Sequence, residues 1–486
     1  MEKLSMKVPG RLWEYFEEIC RIPRLSKKED KILQYLIDFA LLKKLEYKQD
    51  SVGNLVIRKN ATPGMENRKC VILQSHVDMV GEKEKNAHHN FEEDPIIPIL
   101  KNGWVTARNT TLGADDGIGI AAQLVILENH QIEHGPVECL FTIDEESGMT
   151  GAKNLQKGFI EGKILLNLDS EDEGILFIGC AGGIDTLARF RLNLKKTKQG
   201  TQAYLIQIGG LKGGHSGDEI HKSPVNVIQL INRLLWNASR EFDLLISYLN
   251  GGNLRNAIPR DAEALVVVPK SKKSEFESFF HIFASIIKKE VGRFEPDLYF
   301  YLMETEPPES VITTKLQYRL LNALYGCPHG VISWSMDIED LVETSTNLAS
   351  IKFLKEKEIQ VTTSQRSSID SAKKDISDKI ASIFSLAGAK VEHTAGYPGW
   401  TPNPDSEILN ITRDSYRKLF KKNPLVKAIH AGLECGLILQ KYPDLDMISF
   451  GPTIKGAHTP HEKISIKSTQ KFWKLLLEVL RNIPET

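Results

Sequence analysis

Short apolar runs alternate with amphipathic stretches between Val71 and Leu168. The segments VILQSHVD, VECLFTID and KILLNLD are short and mostly apolar, which is typical of buried strands, whereas GIGIAAQLVILENH has the periodicity of a helix. Buried strands that alternate with helices are characteristic of parallel sheets covered on both faces. This part of the sequence therefore predicts an α/β domain with a mostly parallel sheet.

The pattern changes between about Gly183 and Val391. Here RFRLNL and AYLIQIGG alternate polar and apolar positions on either side of a predicted turn, KKTKQGTQ, and a helical segment, SPVNVIQLINRLLWNASREF, follows. This combination predicts an antiparallel α+β unit. After GYPGWTPNP, helical patterns, the apolar run DMISF and a last amphipathic helix return. We therefore predict an α/β domain formed by residues 1–182 and 392–486 and interrupted by an inserted α+β domain, 183–391.

Composition narrows the class of protein without selecting a function. The 486 residues include 62 Lys and Arg and 63 Asp and Glu, a formal charge of −1, and 41% are hydrophobic. Such a balance offers no basic surface for nucleic acid and no attraction to an anionic membrane. The six cysteines form no CxxC pair, and neither a signal peptide nor a membrane-spanning run is recognisable. We expect a cytoplasmic protein.

The first candidate for chemistry is SHVDMVGEK, at the end of a predicted strand. His76 and Asp78 are two positions apart, so their side chains face the same side of an extended chain. A metal-binding imidazole usually donates its other ring N–H to a carboxylate, which fixes the ring's orientation. The pair fits a metal ligand and its orienting partner. The alternative is a strand-end histidine followed by an aspartate that caps a turn.

A second candidate is the acidic pair in TLGADDGIGIA. Asp115 and Asp116 lie between Gly113 and Gly117, where a helical pattern begins. Acidic residues are common at helix starts because they interact favourably with the helix dipole. The flanking glycines favour function, since they let the backbone approach a site closely.

Three further strand ends carry acidic residues or histidine. An apolar strand in FTIDEESGMTGA ends in Asp144, Glu145 and Glu146, which repel one another unless a cation compensates them; a solvated loop is the alternative. Asp169 ends the strand in ILLNLDSEDEG, and His458 follows the apolar run MISF. Strand ends of an open α/β sheet meet at one crevice. Together these residue types suit two divalent ions that share a bridging carboxylate.

The motifs SHVD, GADDG, DEESG and GPTIKGAHTP resemble those of the co-catalytic zinc dipeptidases, the metallopeptidase family that includes carnosinase and carboxypeptidase G. The similarity extends over nearly the whole chain, through strings such as GGHSGDEI, GGNLRNAIPR and GYPGWTPNPDSEI. It implies a zinc-peptidase-like fold and hydrolysis of unblocked dipeptides, Xaa-His among them. It also implies two divalent metal ions, zinc or else manganese or cobalt.

The resemblance assigns roles in the α/β domain, which becomes the catalytic domain. Asp115 would bridge the two ions. Each ion would have two further ligands, which are His76 and Asp169 for one and Glu146 and His458 for the other. Glu145 would be the general base, and Asp78 the supporting carboxylate.

The resemblance also makes the inserted domain a lid and dimerisation domain of a homodimer. His215 in GGHSG would stabilise the developing oxyanion, often from the opposite subunit, and Asn256 and Arg366 would contact the dipeptide. Two alternatives need no such roles: GGHSG as a turn with Ser216 as a helix cap, and Arg366 as a surface charge.

Two positions depart from the family pattern, and two other functions stay open. Asp116 lies where relatives can carry Asn, and His461 lies where an acidic residue is common. One alternative function is an N-acyl amino acid deacylase on the same metal core. The other is a non-catalytic binding protein of the same fold, against which the presence of Glu145 and all five ligands argues.

Overall fold

The computed structural model describes residues 4–217, 219–222, 225–354 and 358–486. In chain order the strands are β1 (Glu46–Gln49), β2 (Leu55–Lys59), β3 (Val71–His76), β4 (Pro98–Lys101), β5 (Trp104–Ala107), β6 (Val137–Thr142), β7 (Ile164–Asn167), β8 (Ile175–Cys180), β9 (Gly182–Arg191), β10 (Leu194–Lys196), β11 (Thr201–Gly209), β12 (Gly214–His215), β13 (Leu245–Gly251), β14 (Ala257–Ile258), β15 (Ala262–Pro269), β16 (Tyr299–Thr305), β17 (Ser310–Ile312), β18 (Gly330–Trp334), β19 (Val342–Leu354), β20 (Glu358–Ser367), β21 (Lys390–His393), β22 (Leu425–Ile429), β23 (Asp446–Ser449), β24 (Ile454–Lys455) and β25 (Lys463–Ser465). The α-helices are α1 (Gly10–Cys20), α2 (Asp30–Lys43), α3 (Ala114–Glu128), α4 (Glu145–Gly148), α5 (Thr150–Asn154), α6 (Val227–Glu241), α7 (Lys273–Val291), α8 (Thr314–Gly326), α9 (Asp370–Leu386), α10 (Glu407–Phe420), α11 (Glu434–Lys441) and α12 (Ile466–Arg481).

The chain divides into two compact units. The first comprises Met1–Gly179, Trp400–Ala428 and Leu433–Thr486, and the second Cys180–Gly399 and Ile429–Gly432. These units differ from the ranges expected from the sequence at their junctions, because residues 180–182, 392–399 and 429–432 fall in the second unit. Within those ranges, residues 1–3, 218, 223–224 and 355–357 lie outside the described part of the chain.

The first unit contains an eight-stranded sheet in the order β1-β2-β6-β3-β7-β23-β8-β22. Its centre is parallel, because β6, β3, β7 and β23 pair in the same direction, whereas β1–β2, β2–β6 and β23–β8 are antiparallel. All side chains of β3, β6 and β7 are buried, as expected of parallel strands covered on both faces. The predicted α/β class with a mostly parallel sheet is confirmed.

The parallel centre brings distant segments of the chain to one edge of this sheet. His76 is the last residue of β3, Glu145 lies three residues after β6, and Asp169 lies two residues after β7. A smaller sheet, ordered β24-β25-β5-β4, holds the turn between β24 and β25. His458 lies on that turn.

The second unit is built on a nine-stranded sheet in which β16-β11-β15-β13-β19-β20-β9-β21 are neighbours and β18 pairs with β19. Its neighbouring strands pair antiparallel among the described residues, and side chains of α6, α7, α8 and α9 pack in its core. The expected turn KKTKQGTQ is only partly a turn, because β10 pairs with β17. Of the helix expected over 223–242, residues 223–224 lie outside the described chain and Val227–Glu241 is observed as α6, which the Asn226 side chain caps at 2.9 Å from the Ile228 nitrogen.

Among the described residues, no helix combines the length and the apolar character that a bilayer span requires.

Candidate metal centre

Five side chains predicted as ligands meet at the carboxyl edge of the parallel strands, all within the first unit. They form two groups that share Asp115, and the candidate ligand atoms within each group lie within 4.8 Å of one another. The first group is His76, Asp115 and Asp169, and the second is Asp115, Glu146 and His458.

The two oxygens of Asp115 face different imidazoles. Its Oδ1 lies 3.0 Å from Nε2 of His76, and its Oδ2 lies 3.3 Å from Nε2 of His458. Beyond them, Nε2 of His76 lies 3.6 Å from Oδ1 of Asp169, and Nε2 of His458 lies 2.9 Å from Oε2 of Glu146. One carboxylate therefore stands between two separate sets of nitrogen and oxygen atoms.

These spacings fit divalent metal ions. Zinc binds nitrogen and oxygen at about 2.0–2.2 Å, so neighbouring ligand atoms of a tetrahedral site are about 3.3 Å apart. The Asp115 oxygens lie 3.0 and 3.3 Å from the imidazole nitrogens they face. Imidazole and carboxylate donors accept zinc, manganese and cobalt.

Asp78 connects the His76 ring to the acidic segment after β6. Its Oδ1 lies 3.3 Å from Nδ1 of His76 and accepts the Glu145 backbone N–H at 3.0 Å. Its Oδ2 accepts hydrogen bonds from Ser26 Oγ at 2.8 Å and from the Glu146 backbone at 3.2 Å. Asp78 thus lies where it can orient the ring, and it also binds the first turn of α4.

The pKa values reflect carboxylates crowded in a buried place. Burial would raise the pKa of Asp115, but hydrogen bonds from His458 and His76 outweigh it and hold that pKa well below its ordinary value. The same bond to Asp115, with one to Glu146, raises the pKa of His458 to about 11. Burial raises the pKa of Asp169 to about 8. The mutual repulsion of these carboxylates is relieved by nearby positive charge, which divalent cations supply.

Glu145 and Glu146 open the short helix α4, and burial raises the pKa of Glu145 well above its ordinary value, with Asp169 and Glu434 adding to the rise. The third acid, Asp144, is bound by the hydroxyl groups of Ser147 and Thr150. The three adjacent acids therefore have different surroundings.

The two departures from the family pattern have different surroundings in the structure. Asp116 is 1% exposed, accepts the Gly119 N–H at 3.1 Å, and has a pKa that burial raises well above its ordinary value. His461 is exposed, 3.7 Å from Glu84. The buried acid of that turn is the next residue, Glu462, which is 2% exposed.

Sequence reasoning missed two buried charged residues beside the site, Glu462 and Arg24. Glu462 accepts backbone N–H groups of the segment that carries Asp115, and Arg24 donates to a carbonyl of the same segment and to two after β3. Backbone partners leave no side-chain signature in a sequence. The one available signal was the pair of glycines, since a Cβ on Gly113 or Gly117 would lie 2.6 or 2.7 Å from Nη2 of Arg24.

Two of the residues predicted to act on substrate lie on paired segments of the second unit. His215 ends β12, which pairs with β14, and the Ser216 N–H donates to the Asn256 carbonyl at 2.8 Å. Ser216 Oγ has no hydrogen-bond partner in the described part of the chain, so the serine-cap alternative is wrong.

Arg366 lies on β20 in the same unit and is 8% exposed, so the surface-charge alternative is also wrong. Its Nη1 donates to the Tyr397 hydroxyl at 3.1 Å, and its Nε has no partner among the described residues. Whether Arg366, His215 and Asn256 act on a substrate stays a prediction.

Comparisons with known proteins confirm the resemblance seen in the motifs. The profile of "Peptidase family M20/M25/M40" matches residues 72–482. The chain is 41% identical over 484 residues to the cytosol non-specific dipeptidase of Escherichia coli K12, with all of both chains covered.

The structure is also similar to that of the aminoacylhistidine dipeptidase from Vibrio alginolyticus, at 43% identity and a TM-score of 0.93, covering 100% of this chain and 99% of that one. A tripeptidase from Staphylococcus aureus, 19% identical with a TM-score of 0.57 over 98% of this chain and 99% of that one, shares the fold. The longer strings of the sequence, such as GGHSGDEI and GYPGWTPNPDSEI, indicate the bacterial aminoacyl-histidine dipeptidases within the family, and these similarities confirm that interpretation.

The contact between Gly113 and Arg24 gives a testable expectation. Gly103 and Gly113 both have positive φ, 80° and 69°, but a Cβ on Gly103 would meet nothing within 4 Å. Gly103→Ala should therefore cost about 1–2 kcal/mol of unfolding free energy, from backbone strain alone. Gly113→Ala should cost about 1–3 kcal/mol more, because the methyl group displaces Arg24. Denaturant unfolding of the metal-free protein measures both; equal losses would contradict the tight packing around Arg24.

Proposed function

Because the chain belongs to peptidase family M20/M25/M40 and is therefore a peptide hydrolase, we propose that it cleaves unblocked dipeptides with a water molecule activated by two divalent metal ions. The observation that carries this proposal is Asp115, whose two oxygens face the imidazoles of His76 and His458. Similarity over the full chain to relatives named as dipeptidases supports the substrate class.

Asp115 would hold both ions, and each ion would have one histidine and one further carboxylate. The first set adds His76 and Asp169, and the second adds Glu146 and His458. Zinc suits these donors, and manganese or cobalt could replace it. When bound, two such cations lower the pKa of a water molecule and polarise the scissile carbonyl.

Glu145 would accept the proton of the attacking water and pass it to the leaving amine. Glu145 and Glu146 both lie in the first turn of α4, so the carboxylate that would take the proton is held next to a candidate metal ligand. Asp78 would fix this arrangement, because the same carboxylate approaches Nδ1 of His76 and binds the backbone N–H of Glu145.

The second unit would bind the ends of the dipeptide. Arg366 suits the substrate carboxylate, since its buried guanidinium is oriented by the Tyr397 hydroxyl and keeps Nε without a partner in the described residues. Asn256 would contact the dipeptide, and His215 would stabilise the oxyanion. We also propose that the protein is a cytoplasmic homodimer, as the GGHSG motif and the cytosolic E. coli relative suggest.

One experiment separates the proposed function from the other two. Purified protein is analysed for metal by mass spectrometry and assayed on a panel that contains Xaa-His dipeptides, β-alanyl-histidine and N-acetyl amino acids. We expect divalent metal and cleavage of the dipeptides. Cleavage of N-acetyl amino acids alone would indicate a deacylase, and a folded chain that takes up no divalent ion would indicate a binding protein.

Glu145→Gln should remove turnover and leave metal binding intact. The amide keeps the size of the side chain but accepts no proton, and loss of a general base costs about 10²–10⁴ in kcat. Steady-state kinetics and metal content check this, with the exposed Glu161→Gln as the control. Near wild-type kcat in Glu145→Gln would exclude this residue as the base.

Asp115→Asn and Asp116→Asn should have unequal effects on metal content. Asp115 faces both imidazoles, so its loss should release both ions, whereas Asp116 is directed at the Gly119 N–H and its replacement should leave them bound. Metal analysis after dialysis measures the stoichiometry. Release from Asp116→Asn alone would reverse the assignment.

His215→Ala should lower kcat about 10²–10³-fold, the usual effect of losing an oxyanion donor, with metal content unchanged. If His215 acts in the opposite subunit, mixing His215→Ala with Glu145→Gln protein should restore partial activity, because one site of each heterodimer has both residues intact. Subunit exchange is verified by native mass spectrometry. No recovery after exchange would mean that His215 serves its own subunit or has no catalytic role.

A further inference from the structure

Glu462 is a buried carboxylate bound by four consecutive backbone N–H groups. Its Oε2 accepts from Leu112 at 2.6 Å and from Gly113 at 2.9 Å. Its Oε1 accepts from Ala114 at 2.8 Å and from Asp115 at 3.4 Å. With 2% of its surface exposed, Glu462 has little contact with solvent, so these N–H groups are its compensation.

Arg24 binds the same segment through its carbonyl groups. Its Nη2 donates to the Gly113 carbonyl, and its Nη1 donates to the carbonyls of Val77 at 2.9 Å and Asp78 at 2.7 Å. Arg24 is also 2% exposed. One guanidinium thus joins the segment before Asp115 to the end of β3.

The two residues connect three ligand-bearing segments. Glu462 lies four positions after His458 on the turn between β24 and β25, so it ties that turn to residues 112–115. Arg24 ties residues 112–115 to the chain that follows His76. Neither residue is among the candidate metal ligands of the described chain.

We propose that Glu462 and Arg24 are positioning residues that hold Asp115 between His76 and His458, so that its two oxygens are directed at both ions before either binds. This inference rests on the proposed function, since it concerns the same metal centre. The physical reason is that the segment 112–115 belongs to no strand and begins a helix only at Ala114. Hydrogen bonds with a charged donor or acceptor are about twice as strong as neutral ones. The Glu462 carboxylate and the Arg24 guanidinium therefore hold the segment 112–115 rigid.

Glu462→Gln tests whether the hydrogen bonds of Glu462 position Asp115 or whether its side chain only fills space in the core. The amide has the same volume, but its NH₂ group must face one of the two pairs of backbone N–H groups, so two hydrogen bonds are lost and donors oppose donors. A matched control is Glu138→Gln. Glu138 is 3% exposed and accepts the backbone N–H groups of Glu161 at 2.7 Å and Gly162 at 2.9 Å. It lies near the start of β6, away from the strand end that leads to the site.

The experiment measures Zn²⁺ affinity by competition with a chromophoric chelator, alongside the thermal stability of the metal-free protein, for wild type and both variants. We expect Glu462→Gln to weaken Zn²⁺ binding about 10- to 100-fold, as outer-shell changes do, and Glu138→Gln to leave affinity unchanged even if it lowers the melting temperature. Unchanged affinity in Glu462→Gln overturns the inference, and so does an equal loss in Glu138→Gln.

A second variant covers the case in which Glu462→Gln does not fold. Arg24→Lys keeps the charge but lacks the planar guanidinium that binds the carbonyls of Val77 and Asp78 together with that of Gly113. It should therefore also weaken Zn²⁺ binding at least about 10-fold. Affinity equal to that of the wild type overturns the inference. A wild-type chain that takes up no divalent ion overturns the proposed function itself. A wild-type chain that binds Zn²⁺, with variants of equal affinity, overturns the positioning role alone.

Discussion

The concentration of buried negative charge at the carboxyl edge of the parallel strands is the constraint on which the rest of the site depends. Asp169 interacts electrostatically with both Asp115 and Glu145, and burying carboxylates without compensation costs several kcal/mol for each charged group. The chain supplies part of the compensation through His76 and His458. The remaining demand is for cations, which is why this edge is suited to divalent metal.

The same constraint explains why the first unit is built from both ends of the sequence. A metal centre needs ligands from several directions. Strand β23 lies between β7 and β8 in the sheet, so the chain that follows β23 reaches the same edge as the chain that follows β7. His458 follows β23 through β24, nearly three hundred positions after Asp169. The second ligand set is therefore incomplete without this late segment, which belongs to the first unit although the insertion separates Gly179 from Trp400.

The sequence predicted the parts of the molecule whose signals are local. Continuous apolar runs predicted the parallel strands, and the acidic residues and histidines at their ends predicted the members of the site. It could not predict Glu462 and Arg24, because their partners are backbone groups brought together only by the fold. Similarly, β10 could not be told from a turn, since its pairing depends on β17, more than a hundred residues later.

The orientation of Arg366 in the second unit follows from the packing around it. On β20, Arg366 pairs with Gly183 of β9, and a Cβ at Gly183 would lie 2.7 Å from the Tyr397 ring. The missing side chain therefore makes room for the tyrosine whose hydroxyl orients the guanidinium. A bidentate donor held in this way recognises a carboxylate by geometry as well as by charge. Lysine at this position would keep the charge and lose that geometry, so arginine is the better residue here if this side chain binds the substrate carboxylate, as proposed.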